Sequence, residues 1–441
     1  MRTTSRATIL TAFLAAQAAA QELPYERPPI DYHKAAADDP IARLQARLDR
    51  GEVALDRDER SGYLLSVLRH LGAPVESQSL VFSRTSFQRD KIRPESPRAL
   101  YFADDVYVGY VPGGEVLEFA AVDSTLGAVF YVLEQDGEGS PRFQRQTHEC
   151  LSCHAGARTQ DVPGHMVRSV FADRRGNPIY NAGGFTTDDG SPFAERWGGW
   201  YVTGTHGAMR HMGNVFAADG DRPEELDREA GANLTELPER VRAGAYPTAS
   251  SDIVALMVLE HQTQTHNALA RAHQDALIAL DYQAGIAKAL GEPEGALLES
   301  TRRRLDAAAE RVVRAILFSG EAPLTDRVAG TTAFAEEFAA RGVRDPKGRS
   351  LRDLDLERRL LRYPCSYLIY TEAFDRLPAP VMERVAARLD AILSGRDALK
   401  EFAHLTTEDR AAIREILTAT KPELARGWGG ESAACTSAGG G

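Results

Sequence analysis

From Cys150 to His154 the chain reads Cys-Leu-Ser-Cys-His. Two thiols so close together, with an imidazole directly after the second, confine the backbone to a single turn and restrict what that turn can hold. The other two cysteines, Cys365 and Cys435, stand far apart in the sequence. They do not provide the second close pair that a four-ligand structural zinc site normally uses. A thioredoxin-like dithiol opens a helix in a βαβ setting. Here the motif is followed by AGARTQDVPGH, with two glycines, a proline and no helical period.

The third chemistry for this spacing is covalent haem attachment. Each thiol adds to one vinyl group of a porphyrin, and two intervening residues let both sulfurs reach vinyls on one side. His154 then lies under the iron as the proximal ligand. The motif resembles that of the c-type cytochromes at Cys150, Cys153 and His154. The resemblance implies one covalent haem c and a redox role. It does not extend to the small electron carriers, whose motif lies near the start with a methionine ligand further on. The wider pattern is similar to a group of large exported single-haem proteins of unassigned activity. It is carried by PRALYF (Pro97 to Phe102), YVGYVPGGEVLEF (Tyr107 to Phe119), RWGGWYVTGTHGAMRHMGN (Arg196 to Asn214) and RYPCSYLIYTEAF (Arg362 to Phe374). That similarity implies no particular reaction.

Residues 1–20 have the features of a secretory signal peptide: Arg2 and Arg6, an apolar run from Ile9, and Ala18-Ala19-Ala20 before Gln21. The run is shorter than the ~20 apolar residues that span a bilayer. Export agrees with the motif, because c-type haem is attached outside the cytoplasm. The expected location is periplasmic or otherwise exported, in soluble form with no membrane span. The formal charge of −11 becomes −13 when Arg2 and Arg6 are removed. No basic run offers a nucleic-acid footprint. The acidic balance favours a redox partner protein with a basic docking face.

The composition, 43% apolar and 26% charged, is that of a folded chain. Residues 21–78 read as an N-terminal arm and helices, near 41–50 and 57–71. Residues 79–247 form a β-rich haem region, with runs such as SLVFS, VYVGYV, VLEFAAV and AVFYVLE bounded by Gly, Pro and Asp. Residues 248–422 read as helical. Ser250-Ser251-Asp252 caps a long helix, and further helices are expected near 296–318, 331–341, 351–374, 380–393 and 407–420. Residues 423–441 form a Gly/Ala/Ser-rich flexible tail. The fold class is α+β, a β- and loop-rich haem-bearing half followed by a mainly helical half.

His154 fills one axial position of the iron, and the other position decides the function. A protein ligand there suits electron transfer; an open position permits small-molecule chemistry. The segment Thr205 to Asn214 offers His211, Met212 and His206 as distal candidates. Arg196 and Arg210 could pair with haem propionates, and Trp197 with Trp200 could wall the ring. The competing reading is a turn region whose histidines bond carbonyls and whose tryptophans are core. His165 and Met166 are the second choice. On the long helix, His261 and His266 lie about 140° apart and cannot bind one iron. Glu260, Gln264 and Asn267 form a polar stripe, read either as a haem-pocket wall or, preferably, as a satisfied network joining the two halves. Cys365 reads as a buried thiol, with a disulfide to Cys435 permitted by export. The resulting expectation is a periplasmic c-type haem protein carrying out electron transfer. The alternative is a haem-dependent oxidoreductase, peroxidase- or oxidase-like, with an open distal site.

Overall fold

The computed structural model describes residues 23–136, 140–217, 225–291, 293, 296–397 and 399–428. Alternating apolar residues build a six-stranded antiparallel sheet whose strands pair in sequence order. They are β1 (Ser79–Val81), β2 (Arg98–Phe102), β3 (Val106–Tyr110), β4 (Val116–Asp123), β5 (Gly127–Glu134) and β6 (Phe143–Gln146). Phe102 pairs with Tyr107, Gly109 with Glu118, and Ala120 with Phe130. This register puts Tyr107, Gly109, Glu118, Ala120 and Phe130 on one face. Val108, Tyr110, Phe119 and Tyr131 then share the other.

The second face packs against α1 (Pro40–Asp49) and α2 (Leu64–Leu71), with Ile41, Leu44, Leu64 and Val67 in one core with Val108 and Phe119. Asp39 caps α1 by accepting from the amides of Ile41 and Ala42, and the Tyr131 hydroxyl donates to its other oxygen at 2.6 Å. The first face meets α4 (Ile253–Leu290), a helix of 38 residues. Asp252 starts it, accepting from the Val254 amide at 2.8 Å, as expected from the sequence. Its opening run from Ile253 to Leu259 is buried on all sides. A helix apolar all round belongs in a core, not on a surface. Phe102 and Tyr107 of the sheet and this run lie in the same hydrophobic cluster as the helical half. The two halves therefore share one core.

The helical half adds α5 (Glu299–Ile316), α6 (Phe334–Ala340), α7 (Glu372–Asp375), α8 (Ala379–Leu393) and α9 (Thr407–Thr420). The α+β division is as expected. The helix expected over 351–374 is absent: this stretch holds turns, a 3-10 turn at Tyr367–Tyr370 and α7. Pro364 has no amide proton to donate, and the Ser366 side chain accepts from the Leu368 amide, starting a new turn. Residues 57–63 are likewise non-helical, and α2 begins only at Leu64.

Between β6 and β7 (Val167–Val170) lies α3 (Leu151–His154), a single turn carrying the haem-type motif. β7 pairs with β8 (Gly184–Thr187). No helix among the described residues is long and apolar enough to cross a membrane. The signal-peptide segment, most of the tail, and Cys435 lie outside the described residues.

Candidate functional site

The Cys150 carbonyl accepts from the amides of Cys153 (3.2 Å) and His154 (2.9 Å), so all three motif side chains leave one turn. His154 Nδ1 lies 3.0 Å from the Gly164 carbonyl oxygen. A carbonyl only accepts, so Nδ1 carries the proton and Nε2 presents its lone pair. Nε2 has no hydrogen-bond partner among the described residues. Burial pushes the imidazole pKa down to about 4, which keeps the ring neutral. A neutral imidazole whose far nitrogen is held by a carbonyl is the form that binds a metal.

The loop behind this histidine is closed on itself. The Gly164 amide donates to the His154 carbonyl at 2.8 Å, and the Thr159 hydroxyl donates to the Val162 carbonyl at 2.8 Å. Gln160 and Asp161 both take left-handed backbone conformations, with φ of 59° and 58°. Arg271 clamps them by donating to the Gln160 carbonyl at 2.9 Å. Gly164 has no room for a side chain, because a Cβ there would collide with the Asn267 amide oxygen.

Cys150 and Cys153 are both free thiols, the first half-buried and the second exposed. Burial, and then Glu118, push the Cys150 thiol up to about 11. That is opposite to the depressed pKa of a catalytic dithiol. Among the described residues no group of three or more His, Cys, Asp and Glu side chains is placed to hold a metal ion, as structural zinc would need. The donor set instead fits a covalent haem: two free thiols and one neutral imidazole on one turn. The Phe130 ring lies 5.0 Å from that of His154, and the Arg98–Glu118 ion pair (2.6 Å) acts on both Cys150 and His154. Arg168 is within electrostatic reach of Cys153 and Arg158. Neither Arg158 nor Arg168 has a carboxylate partner among the described residues. Sequence reasoning missed both as cations beside the motif.

The cluster expected to face the iron gathers around Trp197. The rings of His206 and His211 are 4.7 Å apart, and His211 lies 5.2 Å from Trp197 and 5.8 Å from Phe193. His206 Nε2 accepts from the Asn233 amide, and His211 Nδ1 from the Gly213 amide, both at 3.0 Å. Met212 sits in a small core with Phe171 and Val215. No hydrogen bond, ion pair or ring contact among the described residues joins His206, His211, Met212, Arg196, Trp197 or Arg210 to Cys150, Cys153 or His154. Trp197, fully buried with φ of 65°, draws the histidines into its own core. Arg196 is consumed within the protein, pairing with Glu260 at 3.0 Å and donating to the carbonyls of Ser191 and Asp189. Arg210 pairs with Glu229 at 2.7 Å. The His165 ring, expected as a second-choice ligand, packs against Tyr107 at 4.5 Å and His266 at 5.7 Å.

The polar stripe of α4 ties down the loop segment. Glu260 holds Arg196, Gln264 accepts from Gln160 at 3.3 Å, and the Asn267 amide bonds the His165 backbone in both directions (2.8 and 2.7 Å). His261 has both nitrogens engaged at 2.7 Å, Nδ1 with Asp189 and Nε2 with Ser366. The Asp189 carboxylate fixes the proton on Nδ1, so Nε2 accepts from the Ser366 hydroxyl. Phe318 stacks on the ring at 4.0 Å. A groove of about 740 Å³ lies beside this trio, lined by Gln160, Asp161, Asp189, Thr265, Arg271 and Phe318 among others. Asp189 and Ser366 had no sequence signal, being 72 and 105 residues from His261.

No protein-family model, curated protein or solved structure matches the chain.

Proposed function

We propose that the chain is an exported, periplasmic c-type haem protein that transfers electrons through one haem held by Cys150, Cys153 and His154. The observation that carries this reading is the state of His154. Its Nδ1 proton is committed to the Gly164 carbonyl, its ring is neutral, and its Nε2 is free beside two unpaired thiols. When bound, the haem supplies a one-electron iron couple. Cys150 and Cys153 anchor it through thioether bonds, and His154 orients it. The Gly164 bond raises the basicity of the imidazole and stops it turning. Arg158 and Arg168 would balance anionic propionates. Export rests on the sequence of residues 1–20, and the acidic net charge favours a partner with a basic docking face.

A second reading, a peroxide-consuming haem oxidoreductase, is favoured by the 740 Å³ groove, whose wall includes the tip of the loop that carries His154. Absorption and EPR spectra of the purified holoprotein, with and without carbon monoxide, distinguish the readings. A low-spin spectrum indifferent to carbon monoxide is the outcome for electron transfer. A high-spin ferric spectrum, with carbon monoxide binding on reduction, replaces that reading with the oxidoreductase.

A further inference from the structure

Behind His154 the chain builds a second redox-capable arrangement. Tyr107 of β3 is buried, and its hydroxyl lies 2.9 Å from Nδ1 of His266 on α4. The direction of that bond follows from its neighbours. The Ala103 carbonyl can only accept, so it fixes the Gln262 amide nitrogen at 2.7 Å. The same nitrogen donates to the Tyr107 oxygen at 3.1 Å, and the Gln262 oxygen accepts from Tyr367 at 2.6 Å. The Tyr107 proton therefore points at His266 Nδ1, and the proton of His266 sits on Nε2.

Two further features distinguish this pair from an ordinary buried hydrogen bond. The first is its link to the motif. The His165 ring packs on Tyr107 at 4.5 Å, and its backbone directly follows Gly164, which holds His154. The second is a route for a proton. His266 Nε2 is buried with no well-formed hydrogen bond, and the Asp104 backbone lies within reach of the ring. The same residue lines a cavity of about 10 Å³ with Asp105, Ser124, Thr371 and Glu372. That volume is near the roughly 10–15 Å³ that one water needs. Burial raises the Asp105 carboxyl to about 6, where it exchanges protons near neutrality.

We infer that Tyr107 is a redox-active tyrosine, giving an electron toward His154 through His165 and its proton to His266. This deepens the oxidoreductase reading and rests on it. In the step the phenolic O–H bond of Tyr107 breaks. The electron reduces the oxidised haem centre by one equivalent, and the proton forms a bond to Nδ1 of His266, leaving a neutral phenoxyl radical and an imidazolium. The oxidant class is a peroxide: hydrogen peroxide would take two electrons, one from Tyr107 and one from ferrous iron that ends ferric, and two protons from solvent, the Tyr107 proton staying on His266, and would become two waters. Burial holds His266 neutral, as an acceptor must be, and the oxidised phenol is a far stronger acid than imidazolium.

The test uses the full chain and two oxidants, hydrogen peroxide on the holoprotein and flash-generated tris(bipyridine)ruthenium(III), which needs no haem. Samples are frozen and read by EPR. A tyrosyl signal lost in Tyr107→Phe is expected; the variant is needed because the chain has 14 tyrosines. An undiminished signal in that variant, or no tyrosyl signal with either oxidant, overturns the inference. A Tyr107-dependent signal with ruthenium alone upholds the pair while removing the peroxide reading. If that variant does not fold, His266→Gln decides in its place: a tyrosyl signal that forms as fast there as in the unchanged protein overturns the inference. Radical formation slower in D₂O than in H₂O supports proton transfer to His266, and equal rates overturn it.

Discussion

His261 and Ser366 lie 105 residues apart in the sequence and 2.7 Å apart in the fold, His261 Nε2 accepting from the serine hydroxyl. With Asp189 on the other nitrogen, the trio has the connectivity of a nucleophilic relay. Ser366 is nevertheless fully buried and caps the turn at Tyr367–Tyr370. Its work is to join α4 to the helical half.

That assignment makes Ser366→Ala a stability variant. It removes a cap and leaves Nε2 of His261 only the long 3.5 Å contact with the Thr265 hydroxyl, costing about 1–3 kcal/mol. Urea denaturation measures the loss, and the haem absorption spectrum is expected to stay unchanged.

Arg196 and Glu260 form a buried ion pair at 3.0 Å, with Glu260 wholly sealed. Burial raises the Glu260 carboxyl to about 7, and Arg196 opposes that rise. A carboxyl whose folded pKa exceeds its unfolded value favours folding below the unfolded pKa. That contribution is lost as pH rises through the folded pKa. Arg196→Leu removes the opposing cation, so the loss deepens. The variant should be destabilised by about 3–5 kcal/mol at pH 8, and by less at pH 5, where Glu260 is protonated. Denaturation at the two pH values checks both sign and size.

Gly164→Ala would push its new methyl into Asn267 and Thr159. The expected cost is about 1–3 kcal/mol. Because the Gly164 carbonyl holds His154, the haem reduction potential should shift with it. A potential equal to that of the unchanged protein would mean the carbonyl bond survives the strain.

Much of this fold was legible in local chemistry. Strand runs bounded by Gly and Pro, and the Asp252 cap of α4, stand where the pattern put them. The stretch 351–374 misled because its apolar residues are buried by tertiary packing around Pro364 and Ser366, not by a helical period. Within the site, Cys150, Cys153 and His154 are readable because their spacing is itself the chemistry. The dense His and Met segment at 205–214 packs around Trp197, a direction that density alone does not give. The pairing of Tyr107 with His266 gave no signal. They are 159 residues apart and meet only because β3 packs against α4.

A covalent haem on the Cys150–His154 turn is read from the intact mass of the exported protein, together with the absorption of its alkaline pyridine derivative. One haem per chain, retained on denaturation and lost in the Cys150→Ser, Cys153→Ser double variant, is the predicted result. A mass equal to the polypeptide alone, with both thiols free or joined to each other, would contradict it.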